Sequence, residues 1–212
     1  MPEPEGRHSP LDATPLPRLL VCVTGAAAVF SLPHYLIALR AQIRCTVTVV
    51  MSSSAARFIT PAAVRHLADE VIDASNPEEA FASGHMKLTM EADLILVLPC
   101  SAATLSAAAH GLAHELIPAV VLASPQPVLF FPSMHSVMWR KAALQRNVHQ
   151  LRADGHEVIE PTLRKAYELA DRSVEEHPAL ITPAAFVRLV RERLATPARR
   201  PAPTGGQQQC DR

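Results

Sequence analysis

Short apolar runs recur along the chain, and this pattern restricts its fold more than any other feature of the sequence. We predict strands at the runs 19–23, 45–51, 94–98, 119–123, 128–131 and 157–159. Such short apolar runs are typical of strands that are buried on both faces of a sheet. Helical patterns lie between them at about 28–41, 101–110 and 142–153. This alternation predicts a doubly wound α/β fold, Rossmann-like or flavodoxin-like, with a mostly parallel sheet in a single domain.

The two ends of the chain differ in composition from its centre. Residues 1–17 are rich in proline, and residues 196–212 read TPARRPAPTGGQQQCDR. Segments of this kind bury too little apolar surface to offset the entropy that is lost when they become ordered. We therefore predict disordered tails at 1–17 and 196–212, on either side of one folded domain at 18–195.

The charges of the chain are balanced, with 20 basic and 20 acidic side chains. Balanced charge provides no overall field that would attract nucleic acid or an acidic membrane surface. No apolar run approaches the roughly 20 residues that span a bilayer, and residues 1–17 lack the pattern of a secretory signal. The sequence thus predicts a cytoplasmic protein with no nucleic-acid or membrane partner.

The cysteines and histidines do not form a metal-binding pattern. The four cysteines have no paired spacing, and there is no CxxC or HExxH motif. Three of the cysteines lie in or beside apolar runs, so we predict buried free thiols. His110 and His114 are four residues apart, but no third ligand is evident near them. The sequence therefore predicts no metal site.

Small and hydroxyl-bearing residues follow several of the predicted strands. They are Thr24, Gly25, Ser52, Ser54, Ser101 and Ser133. Ligands of doubly wound folds bind beyond the carboxyl ends of the strands, where backbone N–H groups at helix starts attract phosphate. A phosphate-bearing cofactor fits this pattern, although Gly25 is not followed by a GxGxxG or Walker motif. Each serine taken alone is better explained as a helix cap.

Two strand ends carry more specific motifs. Residues 99–104 (PCSAAT) resemble the PASANT motif, residues 132–139 (PSMHSVMW) resemble the PxMNxxMW motif, and His85 lies upstream within GHMKL. On these residues the chain resembles the homo-oligomeric flavin-containing cysteine decarboxylases, above all the epidermin-type lantibiotic (peptidyl-cysteine) decarboxylases. The order and spacing of the matching segments extend over about 18–161.

The resemblance implies oxidative decarboxylation of a cysteine at the C-terminus of a ribosomally made precursor peptide. Direct loss of the carboxylate would leave a carbanion without an electron sink, whereas oxidation of the thiol-bearing carbon to a thioaldehyde provides one. The flavin takes the hydride, CO2 leaves, and an enethiol remains for aminovinyl-cysteine formation in lantibiotic biosynthesis. FMN is the default cofactor of the family, and FAD is the alternative.

The resemblance also implies roles for individual residues. His85 is expected to be the catalytic base that forms or orients the thiolate, and Met134, His135 and Met138 are expected to bind the substrate. The expected cofactor contacts are Thr24, Gly25, Ala26, Ser52, Ser54, Pro99, Ser101, Thr104 and Trp139. As ordinary structural residues, the methionines and the tryptophan would instead fill the core, and a histidine such as His85 would lie on the surface.

The chain departs from both motifs at one position each. Ala103 stands where PASANT has its asparagine, and His135 stands where PxMNxxMW has the asparagine thought to hold the substrate carboxylate. Alanine removes a hydrogen-bonding group, which leaves the form of the flavin open between FMN and FAD. Histidine still donates a hydrogen bond, so we predict that His135 keeps the anchoring role.

Two other activities within the same fold remain as alternatives. Phosphopantothenoylcysteine decarboxylases carry a cysteine-containing loop after the last strand that reduces the enethiol, whereas this chain has no cysteine between Cys100 and Cys210. A non-catalytic flavin-binding regulatory protein is the second alternative. The resemblance further implies a homotrimer or homododecamer with the flavin held between subunits, and a clamp over the peptide end formed by residues 161–183.

Overall fold

A six-stranded parallel sheet forms the centre of the computed structural model, which describes residues 15–168 and 173–196. In the sheet order β3-β2-β1-β4-β5-β6, the strands are β1 (Arg18–Val23), β2 (Thr46–Met51), β3 (Glu70–Asp73), β4 (Leu94–Cys100), β5 (Val128–Pro132) and β6 (Glu157–Val158). The doubly wound α/β fold that was predicted from the sequence is confirmed. The parts of the predicted tails at 1–14 and 197–212 lie outside the described residues.

Helices cover both faces of the sheet. They are a 3₁₀-helix (Ala27–Ser31), α1 (Leu32–Gln42), α2 (Ser53–Ala56), α3 (Pro61–Val64), α4 (Pro77–Ser83), α5 (His85–Glu91), α6 (Ala102–Ala109), α7 (Leu116–Ala123), α8 (Ser136–Trp139), α9 (Ala142–Ala153) and α10 (Pro183–Ala195). One buried cluster joins α1 and α10 to the sheet. A second cluster joins α5, α6, α7 and α9 to the opposite face. None of the helices in the described ranges is long and apolar enough to cross a bilayer.

Side-chain hydroxyls cap the helices that follow strands β2 and β4. Ser52 accepts a hydrogen bond from the N–H of Ala55 at 3.2 Å, and Ser101 accepts one from the N–H of Thr104 at 3.3 Å. These contacts satisfy N–H groups that have no partner within a first helical turn. The predicted helix-capping role of these serines is thus confirmed. Helices α2 and α6 therefore begin directly after the carboxyl ends of β2 and β4.

One predicted strand is wrong. Residues 119–123 belong to helix α7, in which Ile117, Val120 and Val121 are buried while Leu122 is 61% exposed. Burial that recurs every three or four residues is typical of a helix. Pro118 lies in the first turn, where a backbone N–H would have no partner within the helix, so the proline costs no hydrogen bond. A short apolar run can be either a strand or part of a buried helix, and the residues on either side of it are needed to distinguish the two.

A β-hairpin follows the sheet in the region that was expected to form a clamp. Strands β7 (Thr162–Glu168) and β8 (Ser173–Ala179) pair antiparallel, so that Thr162 lies opposite Ala179. The chain then passes helix α1, where the hydroxyl of Tyr35 donates a hydrogen bond to the carbonyl of Ile181 at 2.6 Å. Neither the hairpin nor strand β3 nor helix α10 was predicted from the sequence.

Candidate functional site

A cavity of about 650 Å³ lies beyond the carboxyl ends of the central strands. This is the position at which doubly wound folds bind their ligands. The predicted site residues that line it are Gly25, Ala26, Ser52, Ser54, Ser101, Thr104, Met134, His135 and Met138. Ala103, which replaces the asparagine of the PASANT motif, and Pro178 of the hairpin also line this cavity.

One wall of the cavity, which we call the cradle, is formed by Gly25, Ala26, Ser52 and Ser54. The loop after β1 approaches α2 so closely that a Cβ atom at position 25 would overlap the Cβ of Ser54. Glycine is therefore required by space at this position. A narrow wall built from glycine, alanine and serine beside helix starts fits the terminal phosphate of a flavin, which backbone N–H groups and hydroxyls bind.

Two residues that were predicted to contact the cofactor lie behind the cavity wall. Thr24 is only 1% exposed; its hydroxyl donates to the carbonyl of Pro99 at 2.8 Å and accepts from the N–H of Ser101 at 2.7 Å. Pro99 is buried in β4. These hydrogen bonds connect the end of β1 to the end of β4. Thr24 and Pro99 thus support Ser101 from behind the cavity wall.

The turn after β5 brings the second motif to the opposite wall. His135 is the N-cap of α8, and its Nδ1 accepts a hydrogen bond from the N–H of Val137 at 3.2 Å. With Nδ1 accepting, Nε2 is the ring nitrogen that can carry a proton and donate. His135 therefore brings an imidazole to the wall that carries the second motif.

The other large side chains of this motif differ in their surroundings. Met138 is exposed at the cavity, and Met134 lines the cavity while it also packs against the core. Trp139 packs against the same core cluster, and its carbonyl accepts a hydrogen bond from Nε2 of Gln145 at 2.6 Å. Within one chain, Trp139 thus packs against the core and is not among the residues that line the cavity.

His85 lies in a different cavity of the same chain. It is exposed at the start of α5 and lines an open cavity of about 430 Å³ together with His114, Glu115 and Leu122. A single chain therefore does not bring the predicted catalytic base into the cavity at the strand ends. Glu115 lines both cavities. Glu115 was not predicted from the sequence; its local signal is that an acidic residue directly precedes the apolar helix α7.

The cysteines near the site are structural. Cys22, Cys45 and Cys100 are free and buried, as predicted, while Cys210 lies outside the described residues. Burial raises the pKa of the Cys22 thiol to about 12 and also raises the pKa of Cys100. Because the thiolate is the nucleophile, neither residue is suited to attack a substrate. The described ranges contain no cluster of three or more histidine, cysteine or acidic side chains that could hold a metal ion.

Comparisons with known proteins identify relatives of the chain. The family model described as Flavoprotein matches residues 8–184. Mersacidin decarboxylase from Bacillus sp. (strain HIL-Y85/54728) is 32% identical over 78% of this chain and 84% of its own length. Epidermin decarboxylase from Staphylococcus epidermidis is 28% identical over 72% of this chain and 82% of its own length. The coenzyme A biosynthesis bifunctional protein CoaBC from Escherichia coli (strain K12) is 31% identical over 65% of this chain, which is 34% of that longer protein.

Solved structures share the fold. The FMN-dependent cysteine decarboxylase SpaF matches 85% of this chain and 98% of its own, with a TM-score of 0.67 and 29% identity. EpiD in complex with the substrate peptide DSYTC matches 85% of this chain and 99% of its own, with a TM-score of 0.75 and 24% identity.

Proposed function

The chain belongs to the flavoprotein family of decarboxylases, and we propose that it oxidatively decarboxylates the C-terminal cysteine of a ribosomally made precursor peptide. The observation that carries the proposal is a single cavity with the cradle on one wall and His135 on the other. The cradle matches a flavin phosphate, and His135 matches a carboxylate such as the free α-carboxylate of a C-terminal residue. The SpaF and EpiD matches support a flavin and a cysteine-ending peptide as the two ligands.

The peptide end is held by its carboxylate. Nε2–H of His135 donates to one carboxylate oxygen while Nδ1 stays bound to the N–H of Val137. Met134, Met138 and Pro178 surround this position with apolar surface. Exclusion of water there strengthens the hydrogen bond. It also favours conversion of the charged carboxylate into neutral CO2.

The reaction removes two electrons and then one carbon. When bound, the flavin supplies the two-electron oxidation by accepting a hydride from Cβ of the cysteine. The thiol proton goes to a base, for which we propose His85. The resulting thioaldehyde takes up the electron pair of the breaking Cα–carboxylate bond, so CO2 leaves and the enethiolate is protonated. The peptide loses CO2 and two hydrogen atoms, and the enethiol remains available for aminovinyl-cysteine formation.

We propose that His85 acts in the site of a neighbouring copy. Within one chain His85 faces a separate, open cavity, and the exposed side chains of Met86, Met90 and Leu122 lie on the helices that border it. An apolar surface of this kind around a histidine is typical of a face that another subunit covers. A homotrimer, alone or within a homododecamer, would bring the base of one subunit to the cradle of the next.

The cofactor is proposed to bind with its ribityl phosphate in the cradle. FMN fits this wall, and so does the FMN half of FAD, because both carry the same phosphate next to the ribityl chain. Residues Ser101 and Thr104 at the start of α6 complete the polar lining next to the cradle. The side chain of Ala103 offers no hydrogen bond to the flavin, in contrast to the asparagine that the PASANT motif has at this position.

A phosphopantothenoylcysteine decarboxylase is the second candidate, since CoaBC matches part of the chain. Its product requires reduction of the enethiol, and no cysteine lies between Cys100 and Cys210. The hairpin β7–β8, with Pro178 at the cavity, also fits a peptide better than a small thiol, because it offers a long edge beside the site.

Mass spectrometry of purified protein with synthetic peptides tests the proposal. A peptide that ends in cysteine should lose about 46 mass units, equal to CO2 and two hydrogens. The same peptide ending in serine should stay unchanged, and phosphopantothenoylcysteine should not be consumed. A protein that binds flavin but leaves every cysteine-ending peptide intact would support the regulatory alternative. A protein that binds neither FMN nor FAD would overturn the proposal.

A further inference from the structure

Glu115 is the only described residue that lines both the cavity at the strand ends and the open cavity around His85. It is the N-cap of α7, but its side chain makes no capping hydrogen bond. Among the described residues, no side chain forms a hydrogen bond or an ion pair with its carboxylate. The side chain is exposed, so a carboxylate is available where the two cavities meet.

The chemistry of the strand-end cavity limits what this carboxylate can bind. Glu115 and His135 are the ionisable side chains among the described residues that line this cavity. In the proposed function His135 holds the carboxylate of the peptide, and a second carboxylate nearby repels it unless a cation balances the charge. Glu115 is therefore unsuited to bind the peptide end and is suited to stabilise a positive charge. The proposed base gains such a charge when it takes the thiol proton.

The surroundings of His85 offer one anionic partner. His114 and Glu115 are the titratable residues that line the cavity of His85, and helix α7, which packs against α5, carries no titratable side chain. A second histidine disfavours the protonated form of the first, whereas a carboxylate favours it. Other charged side chains on nearby elements do not line this cavity; they are Arg18, Glu78, Glu79, Lys87 and Glu91.

We propose that Glu115 is the positioning residue for His85, an inference that rests on the proposed function. Its carboxylate accepts a hydrogen bond from one ring N–H of His85, which leaves the second ring nitrogen unprotonated and able to take the thiol proton. The contact can form whether His85 acts in its own chain or in a neighbouring copy. Glu115 lines the cavity of its own His85, and it also lines the cavity that His85 of another copy would enter.

The carboxylate assists two proton transfers. The thiol proton moves to the unprotonated ring nitrogen of His85, and the negative charge of Glu115 stabilises the imidazolium that forms. After the hydride and CO2 have left the peptide, the imidazolium returns this proton to the sulfur of the enethiolate. His85 thus ends in the state in which it began. Without the carboxylate, the imidazole is a weaker base and its ring is held less firmly.

The pH dependence of kcat/KM for a cysteine-ending peptide tests the inference in the flavin-loaded protein, because its acidic limb reports protonation of an essential base. A carboxylate favours the protonated imidazole, so removal of its charge moves this limb to lower pH. We expect Glu115→Gln to shift the limb down by about 0.5–1 pH unit and to lower the plateau about tenfold or more. Glu115→Asp keeps the charge and should keep the limb near that of the parent. Glu91→Gln removes an exposed carboxylate from α5 and should change neither quantity.

Flavin content separates an altered base from a damaged site. The three variants should purify with the flavin-to-protein ratio of the parent, because none of them changes the cradle. If the parent decarboxylates the peptide and Glu115→Gln keeps its acidic limb, the inference is overturned while the proposed function stands. Loss of flavin from Glu115→Gln would assign the residue to the cofactor and would also overturn the inference. A parent that leaves cysteine-ending peptides intact would overturn the proposed function, and this inference with it.

Discussion

The hydroxyl of Thr24 accepts a hydrogen bond from the backbone N–H of Ser101 at 2.7 Å, across 77 residues of chain. Its own proton goes to the carbonyl of Pro99. Because Thr24 is buried, no water replaces these partners when the hydroxyl is removed. Together with the hydrogen bond from the backbone N–H of Thr24 to the carbonyl of Pro99, this side chain holds the loop after β1 close to the start of α6, and both of them line the site.

Thr24→Val should weaken both the fold and the flavin site. Valine keeps the volume but leaves the N–H of Ser101 without its partner, while the carbonyl of Pro99 retains only the backbone N–H of residue 24. We therefore expect the free energy of unfolding to fall by about 1–3 kcal/mol. The control Thr24→Ser retains the hydroxyl and should stay near the parent. Chemical denaturation measures stability, and fluorescence quenching measures flavin affinity. Parent-like values for Thr24→Val in both experiments would contradict the supporting role.

Gly25→Ala should abolish or strongly reduce flavin retention, because the added methyl group would overlap the Cβ of Ser54. The loop or α2 must then move, which widens the cradle. A second change, Ser54→Gly, removes the opposing Cβ, so Gly25→Ala/Ser54→Gly should recover part of the bound flavin. The flavin-to-protein ratio of the purified variants gives the result. Full flavin content in Gly25→Ala would show that the close approach is not required.

The fold and most of the residues in the cavity wall could be predicted from the sequence, because both depend on local patterns. Apolar runs located most of the sheet, and the residues directly after β2 and β4 were placed at the site by the rule for parallel strands. Strand β3 was missed because its four residues begin and end with charged side chains. The position of His85 relative to the cradle was not predictable from local patterns, since it depends on packing between helices and, by our proposal, between subunits.

Activity should depend on two different copies of the chain. His85→Ala alone should lose at least about 100-fold in decarboxylation rate, as expected for a missing general base, and Gly25→Ala should fail for lack of flavin. Mixed oligomers of the two variants, co-expressed with different tags and purified through both, should regain activity because some sites combine an intact cradle with an intact His85. Mixed oligomers that are confirmed by both tags yet stay inactive would assign His85 to its own chain.

The stability of the fold should decrease as the pH falls below neutrality, in part because of His156. Its Nδ1 accepts a hydrogen bond from the N–H of Val128 at 3.2 Å, and burial lowers the pKa of the imidazole against an opposing effect of Asp154. The unfolded chain, with an ordinary histidine pKa of about 6.5, therefore binds the proton first as the pH falls. Folding loses free energy from about that pH downward, whereas above it both states are neutral.

His156→Gln removes this titration while its side-chain carbonyl still accepts from Val128. Denaturation curves measured between about pH 7 and pH 5 should show a smaller loss of unfolding free energy in the variant than in the parent. Equal slopes in the two proteins would assign the acid sensitivity to other groups.

His135→Ala should weaken binding of the peptide carboxylate and leave flavin binding intact, because the residue lies on the wall opposite the cradle. Loss of one hydrogen bond to a charged group is worth about 1.5–3 kcal/mol, so we expect kcat/KM to fall by roughly 10- to 150-fold. His135→Asn should retain most of the activity, since asparagine both caps a helix and donates from its amide.

A peptide with a C-terminal cysteine amide separates anchoring from a general packing effect. It lacks the carboxylate, so as a competitive inhibitor it should bind the parent more weakly than the corresponding substrate acid does. The preference for the acid should disappear in His135→Ala, because the donor that distinguishes the two peptides is gone. If His135→Ala keeps both full activity and the parent's preference for the acid, the carboxylate is held by another group, and the donor at Nε2 serves no anchoring role.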